Sequence, residues 1–252
     1  MADEALADAL DDSQALQGFA RIDLAAAGGP DATPLLQFRR VLETHDLCKG
    51  LLAAIHADRT ARGLLRRAGT LVDATLLAAP PSTKNKERPR DPERHQTRKG
   101  HQWSCGMKAP SGAERDSKLV QTGVVTAAHV ADSTQTAERW HGQAQQVHAA
   151  AGYTGVEKRA EIVAVERKID WPIARQRGPI KTLAEGAEKE TRQAVETAQA
   201  SARAFGEHPF HILQNLFRHR QVRDRGLAKN GHPLFTLFGL AKVVIGGRTA
   251  TT

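Results

Sequence analysis

The run Gly69–Leu77, GTLVDATLL, decides the class of fold. It is short and apolar, with Gly69 in front and Pro80–Pro81 behind, the pattern of a buried β-strand. Asp73 stands in its middle, where an ionised carboxylate is costly unless it meets a metal or a cation. Taken alone, the residue is also compatible with a local cap or bridge. Downstream, Trp103–Ala109 and Leu119–Ala127 (LVQTGVVTA) predict two more strands joined as a hairpin through a turn over Gly112–Lys118. Asp132–Gln143 predicts a helix with an Asp or Ser cap, and Gln146–Ala151, ended by Gly152, a further strand. The stretch 155–193 is charged, interrupted by Pro and Gly, and shows no sustained period. Glu190–Arg220 predicts a long helix, broken or restarted near Pro209.

Upstream the period is helical. Leu35, Phe38, Val41, Leu42, Leu47, Leu51, Leu52 and Ile55 recur near i, i+3, i+4 spacing. A break at Ala25–Thr33 precedes Thr33–Pro34, which suits a helix start with Pro in the first turn, and a second break falls at Arg62–Gly63. The order predicts an α/β chain with a mixed sheet flanked by helices. Its expected divisions are a helical region over 1–66 and an α/β domain over 67–252, with a basic linker at 84–100 and an insertion at 155–193.

Of 252 residues, 40% are hydrophobic and only 4% aromatic, so Ala, Leu and Val must fill the core. Two cysteines, Cys48 and Cys105, are too few for a disulfide framework or a four-cysteine zinc site, which fits a reducing compartment. The longest apolar stretch, Leu234–Ile245, is interrupted by Lys242 and falls short of the roughly 20 residues of a membrane span. Met1–Asp12 carries five carboxylates, unlike a secretory leader.

The net charge of +8 is concentrated. Residues 84–100 and 214–230 each carry net +4, whereas residues 1–23 carry net −5. Two basic segments on a balanced body point to a polyanion, with phosphate the usual target, although solvated segments would read the same way. Phosphate loops, G-x-G-x-x-G, H-E-x-x-H and C-x-x-C are all missing, so nucleotide cofactors and structural zinc find no support. His208 and His211 share a helix face without an accompanying acid pattern. Glu207 lies just before Pro209 with Arg203 four residues earlier, a spacing that a surface ion pair would equally explain.

Several strings then run in a characteristic order. They are Val72-Asp73-Ala74-Thr75, Ser82-Thr83-Lys84-Asn85-Lys86, Arg90-Asp91-Pro92-Glu93 with His95-Gln96-Thr97, Lys99-Gly100 before Gln102-Trp103, and Gly106-Met107-Lys108-Ala109. Ala151-Gly152-Tyr153, Glu207-His208-Pro209-Phe210 and Arg225-Gly226-Leu227-Ala228-Lys229-Asn230 follow. Over roughly residues 30–245 the chain resembles bacterial insertion-sequence transposases of the DDE type. The resemblance implies a ribonuclease-H-like core that cleaves and joins DNA at element ends. It also implies a Mg2+ or Mn2+ cofactor held by three carboxylates, a DNA partner bearing terminal repeats, a homodimer on paired ends, and a cytoplasmic, nucleoid-associated location.

By this resemblance Asp73 matches the first acid, Glu207 the third, and Arg203 the arginine accompanying it. The middle acid is absent, since the position directly before Ala151-Gly152-Tyr153 is Ala150. Pro110 stands where the family commonly has histidine, Gln214 in place of a lysine, and Ala200 in place of a tyrosine. Asp132 and Glu157 are the nearby acids that could substitute. These departures, with an N-terminal region shorter than is usual in the family, resemble a truncated and partly decayed member, impaired in catalysis. Lys84, Lys86, Arg88, Arg90, Arg98 and Lys99, with Arg218, Arg220, Arg223 and Arg225, are the expected phosphate contacts. Two alternatives stay open: a non-catalytic DNA-binding relic that interferes with transposition, and a basic RNA-associated protein.

Overall fold

The computed structural model describes residues 3–24, 28–29, 31–65, 69–79, 91–99, 101–136, 144–165, 169–173 and 186–249. They fall into two compact units, Met1–Gly50 and Leu51–Thr252.

The first unit is helical. Helices α1 (Asp3–Asp12), α2 (Gln14–Ala20) and α3 (Ala32–Thr44) are followed by the first residues of α4 (Leu47–Ala61). Short polar side chains set the starts, as orphaned N–H groups require. Ser13 Oγ accepts from Leu16 N–H at 3.3 Å, and Asp31 Oδ1 accepts from Thr33 N–H at 2.7 Å. The helix expected to begin at Thr33–Pro34 therefore begins a residue earlier, because Asp31 is the better cap.

In the second unit Gly69–Ala78 is strand β1, as the sequence predicts. Strand β3 (Gln102–Glu114) pairs antiparallel with β1 along one edge, from Thr70↔Glu114 to Ala78↔Gly106. Its other edge carries, in succession, β2 (His95–Lys99), β5 (Thr126–Ala127) and β4 (Val120–Gly123). Strand β6 (Gln146–Ala149) lies on the far side of β1 and runs parallel to it. The six-stranded mixed sheet, flanked by helices, is consistent with a ribonuclease-H-like fold.

Four details differ from the sequence reading, the first being that Leu119–Ala127, expected as one strand, forms two short ones, Val120–Gly123 and Thr126–Ala127. His95–Lys99, expected within a basic linker, is a strand. Strand β3 continues past Ala109 through Pro110. Pro110 O accepts from Val124 N–H, so its missing N–H faces the gap between β5 and β4 and removes no ladder bond. Of the helix expected over Asp132–Gln143, Asp132–Gln135 forms a single 3-10 turn, and residues 137–143 lie outside the described ones.

Strand alternation separates two sheet faces. Leu71, Asp73, Thr75 and Leu77 point to one face with Ala113, Ser111, Ala109 and Met107 opposite them. That face packs against a core that includes Phe210, Leu213, Leu234 and Phe238. Its helices are α6 (Ala187–Gly206), α7 (His208–His211) and α8 (Leu227–Thr249). On the other face Val72, Val147 and Ala149 pack with Ala144 and Tyr153. Beyond Tyr153, a 3-10 turn (Val156–Lys158) and the short α5 (Ala160–Val163) lead to Asp170 and Ile173, which bridge to Gln146 and Ala149 along the edge of β6.

The start of α8 is tied to the sheet by two distant strings. Asp91 Oδ2 accepts from Gly226 N–H and Glu93 Oε2 from Leu227 N–H, both at 2.8 Å, while Arg94 Nη2 donates to Asp224 O at 2.8 Å. The carboxylates thus meet N–H groups that the helix leaves without internal partners. Burial alone would raise the Asp91 carboxyl. The N–H groups of Gly226 and Glu93 and the charges of Arg94 and Arg225 outweigh it and hold the group below 3.8. A depressed carboxyl stabilises the fold above its unfolded value and loses that contribution as pH falls through the folded one. Asp91→Asn is therefore expected to cost about 1.5–3 kcal/mol at neutral pH. The difference from the unaltered chain should shrink below about pH 4, as read by urea unfolding at a series of pH values.

Lys242 of α8 is fully buried, its Nζ 3.1 Å from His56 Nδ1 of α4, and burial pushes its ammonium down to about 8. Between about pH 8 and 10.5 the unfolded chain holds a proton that the folded chain has released, so stability rises with pH across that window. Below it the cost of the buried charge is present in full. Lys242→Met, close in volume and uncharged, is expected to stabilise the neutral-pH protein by about 2–3 kcal/mol and to flatten that alkaline rise. Thermal unfolding across pH 7–10.5 reads both effects.

Candidate active site

Parallel strands β1 and β6 share their last registered pair at Val72↔Ala149. The next residues in each strand are Asp73 and Ala150, just past the end of the parallel pairing, and Ala150 packs against the cluster around Val72, Val147 and Tyr153. Ends of parallel strands are where α/β sheets gather ligands. Asp73 is half-buried, and its Oδ1 accepts from the following Ala74 N–H at 2.9 Å.

Helix α6 crosses this point closely. A Cβ built on Gly206 would lie 3.5 Å from Leu71 Cβ and 3.6 Å from Asp73 Cβ, so the helix backbone rests directly on the strand. Glu207 follows as the C-terminal cap of α6 and leads into α7, where Pro209 occupies the first turn. It is exposed, and it stands one residue past the crossing over Asp73. Arg203 lies on α6 one turn before Glu207; its side chain is outside the described ones.

After α7 the helix widens into a π-turn, Ile212–Leu216, a distortion often found at functional sites. The turn directs Gln214 back to β1, where its Nε2 donates to Thr75 Oγ1 at 2.6 Å. Thr75 is two residues from Asp73 and shares its face. Arg220 Nε donates to Gln214 O at 2.9 Å, and its Nη2 donates to Asn215 Oδ1. Ala78 and Gln221 form a parallel bridge, which lays the arginine-bearing segment against the end of β1. Arg218, Arg220, Arg223 and Arg225 are all exposed there. The Thr75–Gln214 contact was not legible in the sequence: Thr75 reads only as part of an apolar strand.

Other residues singled out in the sequence fall elsewhere. Lys108 opposes Leu76 and so points to the face opposite Asp73. Its Nζ donates to Val130 O at 3.0 Å and pairs with Asp132 Oδ1 at 3.2 Å. Asp132 is thereby held by a cation of the far face. Glu157 is exposed on its 3-10 turn. Arg98 is exposed on β2, while Lys84, Lys86, Arg88 and Arg90, and the side chain of Lys99, lie outside the described residues.

The family model for the transposase DDE domain matches residues 65–241, well over half of the chain. The chain belongs to that family. No solved structure matches it. Membership implies a transposase-like function with DNA as the partner, in a family that typically uses divalent metals. Among the described residues no helix is long and apolar enough to cross a membrane.

The residues of the site do not fit a pair of such metals. Two metals that clamp both oxygens of a phosphoryl displacement need carboxylates shared between them. The residue just past the last registered pair is Ala150, which packs against the cluster around Val72, Val147 and Tyr153 and has no oxygen with which to ligate a cation. Among the described residues no group of three or more His, Cys, Asp or Glu side chains is gathered that could hold a metal ion.

Proposed function

We propose that this member of the transposase DDE family binds DNA at element ends, as a pair of copies on paired ends, and is impaired in cleaving it. Asp73 and Glu207 are the carboxylates retained from the catalytic set, with Arg203 accompanying Glu207, and the 67–252 region is the DNA-processing domain. The observation that supports this reading is the Val72↔Ala149 register, the last of the parallel pairing, after which the position matched to the family's second acid is Ala150, a residue with no oxygen to offer. Arg218, Arg223 and Arg225, exposed beside the end of β1, supply phosphate contacts together with Arg220 and the basic stretch 84–100. Whatever Mg2+ or Mn2+ the site still takes, the proposed consequence is occupancy of DNA without strand cleavage.

Titration of the full chain with duplexes bearing the element's terminal repeats, against random duplex, tests the binding half. Preference for the repeats is expected. Arg218, Arg223 and Arg225 changed together to Gln should flatten the plot of log affinity against log salt by about 2–3 units, at roughly 0.9 per neutralised phosphate. Arg220 is left in place because it holds Gln214 O and Asn215. Equal affinity for any duplex, or an unchanged slope, would remove these arginines from the interface.

A further inference from the structure

We propose that the tip of the β2–β3 hairpin is a base-stacking contact, where the Trp103 indole stacks on an unpaired base of DNA approaching the Asp73 face; this rests on the DNA reading above. Strand β1 ends its pairing at Ala78↔Gly106, whereas β2 and β3 continue to Lys99↔Gln102. The pairs Thr97↔Ser104, Arg98↔Trp103 and Lys99↔Gln102 thus form a two-stranded extension beyond β1. Trp103 is 63% exposed there, in a chain where aromatics are scarce. Trp171, by contrast, packs against the cluster around Val147 and Tyr153. An indole left in water on a two-stranded ribbon is not core packing.

Two features select the occupant. Arg98, directly across the ladder, places its guanidinium over the Trp103 ring, 5.8 Å from the centroid, so one face of the indole carries a positive charge and the other is the face for a base. The hairpin's own charges are the cations Arg98 and Lys99, and residues 95–105 carry no carboxylate. A π-face beside these two cations matches a base attached to its phosphates, since every base stacks and every phosphate is an anion. The position also suits the site. Trp103 shares its face with Cys105, Met107, Ala109 and Ser111, and Ser111 is the cross-strand partner of Asp73. The separation along β3 is about 26 Å at ~3.3 Å per residue, or about eight base pairs of duplex at 3.4 Å each.

The test uses the full chain and two probes of one sequence, a blunt duplex and a duplex with a short unpaired end carrying 2-aminopurine. The unaltered protein should quench the 2-aminopurine. Trp103→Ala should abolish the quenching and weaken binding of the unpaired-end probe about 5- to 150-fold, with the blunt duplex nearly unaffected and the melting temperature retained. Trp103→Phe should recover most of the affinity. Unchanged binding of the unpaired-end probe by Trp103→Ala, or an equal loss on both probes, would overturn the stacking proposal alone. Failure of the unaltered chain to bind any DNA would overturn the DNA reading and this proposal with it.

Discussion

Ala150→Asp combined with Gln214→Lys is expected to bring metal-dependent cleavage of element-end DNA, absent in the unaltered chain, to about 100- to 1,000-fold above the detection limit of the assay. Position 150 follows the last registered pair, Val72↔Ala149, and is the one matched to the family's second acid, so an aspartate there supplies the carboxylate that the proposed match calls for. Gln214 already reaches the Asp73 face through Thr75 at 2.6 Å, so a lysine there would bring a cation to the same place. Losing one preorganised electrostatic contact commonly costs 10²- to 10³-fold in rate, which sets the scale for regaining one. Ala200 and Pro110 still depart from the family pattern, so recovery should stop short of an intact family member. Single-turnover nicking of a labelled terminal-repeat duplex, with the single variants alongside, measures it. A folded double variant that binds metal and never cleaves would place the impairment beyond positions 150 and 214.

Gly106→Ala is expected to destabilise the second unit by about 3–5 kcal/mol, enough to leave the chain largely unfolded. A Cβ at 106 would lie 2.1 Å from Leu77 O and 3.1 Å from Ala79 N. Overpacking against flexible side chains typically costs about 1–3 kcal/mol. Here the obstruction is main chain, at the pair Ala78↔Gly106 that ends the β1 ladder, so relief requires strand separation. Gly69, at the opposite end of β1, whose added Cβ would meet nothing closer than 3.5 Å, is the control and should change stability far less on substitution by Ala. Urea unfolding followed by circular dichroism separates the two; near-equal midpoints would contradict the close approach.

What could be read in the sequence was what local pattern encodes. Strand β1 is apolar and bounded by Gly and Pro, β6 ends at a glycine-containing string, and Pro209 marks the break after α6. Each is a short-range signal. Strand β2 is different: His-Gln-Thr-Arg-Lys has no apolar alternation because it lies at the sheet edge, partly on an extension with no core to face, and charge on such edges discourages further pairing. The docking of Asp91 and Glu93 on Gly226 and Leu227 joins residues more than 130 positions apart, which no local period can announce. Helix α8 showed only its apolar stretch, because Gly231 and Pro233 obscure its first turns. At the site, Asp73 and Glu207 stood out through the family strings. The neighbours that define their surroundings, Thr75 and Gly206, did not, since a threonine in a strand and a glycine near a helix end are ordinary residues until register and crossing are known.

The impairment of the site is the central claim, and strand cleavage by the unaltered chain tests it most directly. Terminal-repeat duplex incubated with the protein and Mg2+ or Mn2+ should be bound and remain uncut, and Asp73→Ala should change nothing in the cleavage assay. Metal-dependent nicking by the unaltered protein that vanishes in Asp73→Ala would contradict the account, because another acid would then be serving in place of the one that position 150 lacks.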